Sequence, residues 1–236
     1  CSYDYECRPG TDQEGDVAAM SYNKLFISIT VLMLIFAACR KQWNATEEDM
    51  ANYGWTLYEQ GDYLGSYEWF SNSVQEDLNY QDGYNGLGWS FGKLVEMDSA
   101  ILAFEEGLTK PQNTRILDNV THDILAGLTF AYSALKHDSS VVNYGDSLVW
   151  LLEQQTEDKT WNFPHDSTTN YLDVHVTLAL SYYALSDFTE SLEHVQAIKA
   201  ALNPASPPWV VNTTTITGRD QLAAQIEYLQ NYLLRR

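Results

Sequence analysis

The feature that most constrains the fold is a self-similarity of the chain at a spacing of 34 residues. Gly54 recurs as Gly88, and at the same offset Phe70 recurs as Phe104. A period of this length, with small and aromatic residues at fixed offsets, is typical of repeated helical hairpins that bury their apolar faces only against their neighbours. The sequence therefore predicts a stack of short helical hairpins.

The first two units carry this pattern in detail. The first, residues 47–80, begins after a predicted N-cap at Thr46, and the second, residues 81–114, has a predicted N-cap at Asp98 in its second helix. Both units resemble the tetratricopeptide repeat (TPR). Two departures concern the closing proline of that family, since Leu78 stands in its place in the first unit and Pro111 is displaced by one position in the second.

Two further units and a cap follow at a less regular spacing. Gly88 and Gly127 are 39 residues apart, so the third hairpin, residues 119–155, has drifted or carries an insertion. The fourth hairpin covers residues 172–205, and residues 219–234 have the apolar spacing of a final helix. The resemblance implies an all-α, right-handed α-solenoid of about four TPR-like hairpins with a C-terminal capping helix, over residues 46–236.

The connection between the third and fourth units, residues 156–169, is longer than a usual hairpin loop. Its centre contains Trp161, Phe163, Pro164 and His165. Long loops in repeat proteins are often functional. The alternative is that these side chains fold back and cover part of the core.

The N-terminal part of the chain has the pattern of a lipoprotein signal peptide over residues 20–38. Lys24 precedes an apolar run from Leu25 to Ala38. Fourteen residues make about 21 Å of helix, which is shorter than the roughly 30 Å hydrocarbon core of a bilayer. The run ends at Cys39 in a pattern that resembles a bacterial lipobox, although Phe36 departs from the usual Leu. The alternatives are a plain signal peptide and an uncleaved anchor.

The resemblance implies that Cys39 is the lipidation site and that residues 39–45 are a tether. Residues 1–19 precede Met20 and are polar, so we expect them to be an untranslated or non-native upstream segment, with a real extramembrane segment as the alternative. Arg40 follows the cysteine in place of the Asp that retains some lipoproteins in the inner membrane. We therefore expect a membrane-anchored lipoprotein of the cell envelope, at the periplasmic face of the outer membrane.

The amino-acid composition limits the classes of partner that we expect. The formal net charge of −19 disfavours binding to phosphate backbones and to anionic headgroups, so nucleic acid is not expected as a partner.

In TPR proteins the first helix of each unit lines the concave face, and ligand contacts come from a few fixed positions on it. At the ninth positions this chain has Trp55 and Trp89, with carboxylates such as Asp82 expected at the rim. The resemblance implies a partner-binding groove with these residues: Trp55, Tyr58, Asn85, Trp89, Lys93, Tyr132 and Tyr183. Some of the rings could instead fill space between hairpins. The scarcity of basic residues in this set favours a neutral or basic partner or a glycan.

The residue patterns that could indicate catalysis give little support for an enzyme. Glu105 and Glu106 are adjacent on a second helix, so they point to different sides rather than across a cleft as glycoside hydrolysis requires. Adjacent His-Asp pairs, such as His122 with Asp123, are expected to be solvated or capping residues. We therefore predict no enzyme, no cofactor and no metal site.

Taken together, the sequence predicts a lipid-anchored cell-envelope scaffold that binds a protein or peptide in its concave groove. A glycan- or peptidoglycan-binding accessory lipoprotein is the alternative, with Trp55 and Trp89 as stacking platforms. A small glycan-active enzyme is a minor alternative. The identity of the partner, the pathway and the oligomeric state do not follow from the sequence.

Overall fold

The computed structural model describes residues 45–112, 119–155 and 159–235, and these residues form an all-α structure. The predicted signal peptide, Cys39 and the upstream segment lie outside the described residues. The helices are α1 (Glu47–Glu59), α2 (Tyr63–Glu76), α3 (Gln81–Lys93), α4 (Met97–Leu108), α5 (Val120–Ala134), α6 (Asp138–Glu153), α7 (Tyr171–Ala184), α8 (Phe188–Leu202) and α9 (Ile216–Leu233). Within the described residues, none of these helices combines the length and apolarity needed to cross a membrane.

The helices pair as four successive hairpins, as the sequence predicts. The hairpins are α1 with α2, α3 with α4, α5 with α6, and α7 with α8. The first helices of neighbouring hairpins also contact each other, whereas among the described residues the second helices make no such contacts with one another. The first helices therefore form the inner layer of the stack. The last helix, α9, packs on α7 and α8 and covers the end of the solenoid.

The first helix begins at the predicted cap. The Thr46 hydroxyl accepts a hydrogen bond from the Asp49 backbone N–H, and the Asp49 carboxylate accepts one from the Thr46 backbone N–H. This reciprocal pair satisfies two amides at the start of α1. The prediction for Asp98 is wrong: α4 begins at Met97 with Glu96 in the cap position, and Asp98 lies in the first turn.

All four hairpins turn in the same way. One residue in each turn has a positive φ angle: Gly61 (82°), Val95 (65°), Lys136 (59°) and Ser186 (67°). Only the first of these is glycine, the residue that adopts this conformation without steric cost. The recurrence in the third hairpin shows that its drift in spacing leaves the turn geometry intact.

The small residues of the repeat are required by close helix packing. A Cβ atom on Gly88 would lie 2.4 Å from the ring of Phe104, and one on Gly86 would lie 2.1 Å from the ring of Phe70. Phe70 of α2 and Phe104 of α4 thus occupy the space that side chains on the first helices would fill. Both phenylalanines are fully buried.

The core divides into two clusters. The larger one runs through the first three hairpins and includes Trp161 and Phe163 from the long connection. The smaller one joins α7 and α8 to the capping helix through residues such as Leu222 and Ile226.

Candidate partner-binding face

The connection between the third and fourth hairpins folds into a narrow hairpin of its own, residues 159–170, which we call the strap. The backbone N–H of Phe163 donates to the carbonyl of Thr169 at 3.0 Å, and that of Tyr171 donates to the carbonyl of Trp161 at 2.8 Å. Asn162 and Asn170 form an antiparallel bridge. The tip is tightened by Asp166, whose carboxylate accepts from the backbone N–H and hydroxyl of Thr168.

The side chains of the strap alternate between the protein and solvent. Trp161 and Phe163 are buried, Asn162 and Pro164 are exposed, and His165 is half-buried. Successive side chains of an extended chain point to opposite sides, so this pattern is that of an extended segment lying on a surface. The surface is the inner layer formed by α1, α3 and α5.

On α1, the strap covers Trp55. The imidazole of His165 stacks on the indole of Trp55 with centroids 3.8 Å apart, and the ring of Phe163 meets it edge-on at 5.9 Å. The indole N–H of Trp55 donates to the buried carboxylate of Asp82 on α3 at 2.9 Å. Trp55 is 4% exposed, so neither its ring nor its N–H is free to meet a ligand while the strap is in place.

On α3, the strap covers Trp89. The ring of Phe163 stacks on it with centroids 4.0 Å apart. The indole nitrogen of Trp89 is buried and has no hydrogen-bond partner among the described residues. Beyond it, the Lys93 ammonium pairs with Asp166 at 3.1 Å. Burial raises the pKa of the Asp166 carboxyl, but hydrogen bonds from Thr168 and Lys93 outweigh this effect and bring the pKa below its ordinary value.

Two further predicted groove residues lie beneath the strap. Tyr58 packs edge-on against Phe163, with centroids 6.1 Å apart, and burial raises the pKa of its phenol. Asn85 is fully buried and donates from its amide nitrogen to Asp82 at 3.2 Å. The phenol oxygen of Tyr58 and the amide oxygen of Asn85 have no hydrogen-bond partner among the described residues.

On α5, Asp123 anchors the base of the strap. The indole N–H of Trp161 donates to its carboxylate at 2.7 Å. Asp123 is 4% exposed and its neighbour His122 is 5% exposed. The expectation that this His-Asp pair is solvated is therefore wrong, because its carboxylate serves as a buried acceptor for the strap.

Tyr132 and Tyr183 lie in other environments. The Tyr132 hydroxyl donates to Glu105 at 2.7 Å, and its ring stacks on Tyr144 of α6. Tyr183 packs edge-on against Phe188, and its hydroxyl donates to the backbone carbonyl of Arg219 on the capping helix. These tyrosines join neighbouring helices, as the space-filling alternative predicts, rather than meeting the strap.

The structure thus brings together Trp55, Tyr58, Asn85, Trp89 and Lys93, and it shows that this face is covered rather than open. The strap folds back over the core, which was one of the two alternatives for the long connection. Asp82 is buried beneath Trp55 and does not lie at a rim. The aromatic residues at alternate positions of the strap are a sequence pattern that indicates an extended segment packed on a surface. The neighbouring sequence does not indicate which distant surface that is.

The carboxylates considered for catalysis have structural partners. Glu105 accepts hydrogen bonds from Tyr132 and Tyr144, and Glu106 pairs with Lys110, just beyond the end of α4. Among residues 45–112, 119–155 and 159–235 there is no group of three or more His, Cys, Asp or Glu side chains arranged to hold a metal ion.

Comparison with known proteins identifies the fold. No protein-family model matches the chain, and no curated protein matches it by sequence. Among solved structures, YrrB, described as a TPR protein with an unusual peptide-binding site, is similar with a TM-score of 0.55 at 12% identity, over 84% of this chain and 92% of that one. Pseudomonas aeruginosa PilF is similar with a TM-score of 0.51 at 14% identity, over 77% and 67% of the two chains.

The APC/C hetero-tetramer Cut9-Hcn1 is also similar, with a TM-score of 0.54 at 18% identity over 77% of this chain. The match covers only 30% of that longer chain. At these identities the likeness concerns the fold. The chain has a TPR-like fold, an α-solenoid of helical hairpins, and its inner face carries a strap formed by its own residues 159–170.

Proposed function

We propose that the protein is a lipid-anchored scaffold of the cell envelope, and that it binds an extended segment of a protein partner along the inner face formed by α1, α3 and α5. The main observation that supports the proposal is the strap. An extended stretch of polypeptide lies on this face, with Phe163 against Trp89 and His165 against Trp55. A surface that accommodates one such segment has the shape and the aromatic groups to accommodate another.

The charge of the face indicates the chemistry of the partner. Asp123 and Glu59 both accept hydrogen bonds from strap side chains, Trp161 and His165 respectively. Lys93 is the basic group in the predicted groove set, and it pairs with Asp166 of the strap. With a net charge of −19 over the chain, a partner segment carrying donors or positive charge is favoured over an acidic one.

A polypeptide partner is better supported than a glycan. The rings of Trp55 and Trp89 are 4% and 9% exposed beneath the strap, so any partner has to displace the strap to reach them. The groups that cover them are planar side chains of an extended polypeptide, and this supports a polypeptide partner over a glycan.

The membrane anchor is supported by the sequence alone. The Lys24 region, the apolar run and Cys39 occur in the order of a lipoprotein signal, and Arg40 favours delivery to the outer membrane. Radiolabelled palmitate incorporated into the wild-type chain and lost in Cys39→Ser would support lipidation. Incorporation that persists in the variant would contradict it.

Photocrosslinking tests the binding face. A photoreactive phenylalanine analogue is placed at Lys93, on the inner face, and in a matched variant at Trp150, which is 59% exposed on α6. We expect discrete crosslinked protein bands in membranes from cells expressing the first variant but not the second. Identical bands from the two positions, or none from either, would contradict a partner site on the inner face.

A further inference from the structure

The contacts of the strap are of two unequal kinds. Its base is held by the two buried rings of Trp161 and Phe163. Its tip is held by one ring stack, His165 on Trp55, and by the pairs Lys93 with Asp166 and Glu59 with His165. The side chains of these tip residues are 21–54% exposed. Polar pairs at that level of exposure contribute little to stability because they compete with water, and salt screens any charge they carry. The tip is therefore the weak end of the strap.

The strap covers the aromatic rings of the inner face but leaves some of the polar atoms beneath it without hydrogen bonds. Beneath it, the phenol oxygen of Tyr58, the amide oxygen of Asn85 and the indole nitrogen of Trp89 are buried without hydrogen-bond partners among the described residues. Buried polar groups in folded proteins are nearly always paired. These three atoms on one face are an acceptor on Asn85, a donor on Trp89 and a hydroxyl on Tyr58 that can do both, and an incomplete ligand would leave them unpaired.

The inner face also contains an unfilled cavity. A cavity of about 170 Å³ lies beside Trp89, lined mainly by apolar groups that include Phe104 and Phe130, with Lys93 at its edge. The cavity is partly open to solvent, so a group from outside the protein can enter it. The cavity adjoins the ring that the strap covers with Phe163, so a larger or differently placed apolar side chain would fit there.

We propose that the strap is an internal ligand, displaced by an extended segment of the partner that carries aromatic side chains at alternate positions. This inference rests on the proposed function and names the partner's chemistry. The segment reproduces the spacing of Trp161, Phe163 and His165, with hydrogen-bond donors facing Asp123 and Glu59. It also pairs the polar atoms that the strap leaves unpaired and fills the cavity beside Trp89.

Displacement requires that the strap open while the solenoid stays folded. Hydrogen exchange on the full wild-type chain measures this, because the amides of Phe163, Thr169 and Tyr171 are hydrogen-bonded within the strap. We expect these amides to exchange at least tenfold faster than amides in the middle of α5, through local opening. Protection equal to that of α5 would show that the strap opens only on global unfolding and would overturn the proposal.

A peptide corresponding to residues 159–170, labelled with a fluorophore, serves as the probe for the opened face. The full chain is compared with the double variant His165→Ala/Asp166→Asn, which loosens the tip without creating a cavity in the core and keeps a side-chain acceptor for Thr168. The apparent dissociation constant of a covered site is raised by the rarity of its open form. We expect the double variant to bind the peptide at least about tenfold more tightly than wild type.

The control is Glu106→Gln, which removes the ion pair between Glu106 of α4 and Lys110 just beyond that helix, a pair that does not involve the strap. It should bind the peptide as wild type does. Equal affinities of wild type and the double variant, with both folded by circular dichroism, would overturn the internal-ligand proposal. These results do not depend on the cellular partner: an opening strap together with no crosslinked protein at position 93 would refute the proposed function while leaving the strap as an internal ligand.

Discussion

The imidazole of His165 lies parallel to the indole of Trp55, with ring centroids 3.8 Å apart and an angle of 2° between the planes. The same imidazole contacts Glu59 through Nδ1 at 2.8 Å, so the strap tip is joined to α1 at two points. We expect His165→Ala to lower the free energy of unfolding by about 0.5–1.5 kcal/mol, because the stacking contact is lost. Urea denaturation followed by circular dichroism measures the change.

His137→Ala is the matched control for that experiment. His137 is exposed at the start of α6, and its nearest ring contact, with Tyr132, is tilted and has centroids 6.0 Å apart. Its removal should change stability by less than about 0.5 kcal/mol. Similar losses in the two variants would mean that the stack on Trp55 contributes nothing specific.

Two glycines of α3 should respond in opposite ways to the same substitution. A Cβ on Gly88 would lie 2.4 Å from the Phe104 ring, whereas a Cβ on Gly92 would meet no atom within 4 Å. Gly88→Ala should therefore destabilise the protein by about 1–3 kcal/mol through overpacking. Gly92→Ala should be neutral or stabilise it by up to about 1 kcal/mol, since alanine favours the helix. Thermal unfolding of both variants distinguishes these signs, and equal effects would contradict the packing account.

The sequence was sufficient for the parts of the fold that local pattern determines. Gly88 and Phe104 recur with the repeat because helices in each hairpin approach closely, so their spacing predicted the hairpins and the cap. The strap could not be predicted in the same way. His165 meets Glu59 across 106 positions of sequence, and no periodic pattern specifies a contact of that range. Five of the seven predicted groove residues lie together on α1 and α3, but the cover over them depends on this non-local packing.

Substitutions at equivalent positions of two hairpin turns should have opposite effects on stability. Gly61 and Val95 occupy equivalent turns with φ angles of 82° and 65°. A β-branched residue is strained in this region, and glycine is not, although glycine gains entropy in the unfolded chain. We expect Val95→Gly to stabilise the protein by about 0.5–1 kcal/mol and Gly61→Val to destabilise it by about 1–2 kcal/mol. Both are measured by urea denaturation, and a loss of stability in Val95→Gly would contradict the assignment of strain to Val95.

Acid should weaken the fourth hairpin through a pair of histidines, of which His194 is buried and His175 is half-buried. Nδ1 of His175 on α7 and Nδ1 of His194 on α8 share a hydrogen bond at 2.9 Å. Asp146, which also accepts from Tyr182, lies 3.8 Å from the other ring nitrogen of His194. Burial lowers the pKa of His175 to about 4, and burial together with the charge of His175 lowers the pKa of His194 to about 3.

Since the ordinary histidine pKa is about 6.5, the unfolded chain binds protons at these residues over a range in which the folded chain does not. The stability that the neutral pair contributes is thus fully present above pH 6.5 or so and is lost as the pH falls towards about 4 and 3. His194→Gln should flatten the fall in the thermal midpoint between about pH 6.5 and pH 4 relative to wild type. His137→Gln, at an exposed position, should leave that fall unchanged. An equally steep fall in His194→Gln and wild type would show that carboxylates alone govern the acid response, and that the His175–His194 pair does not.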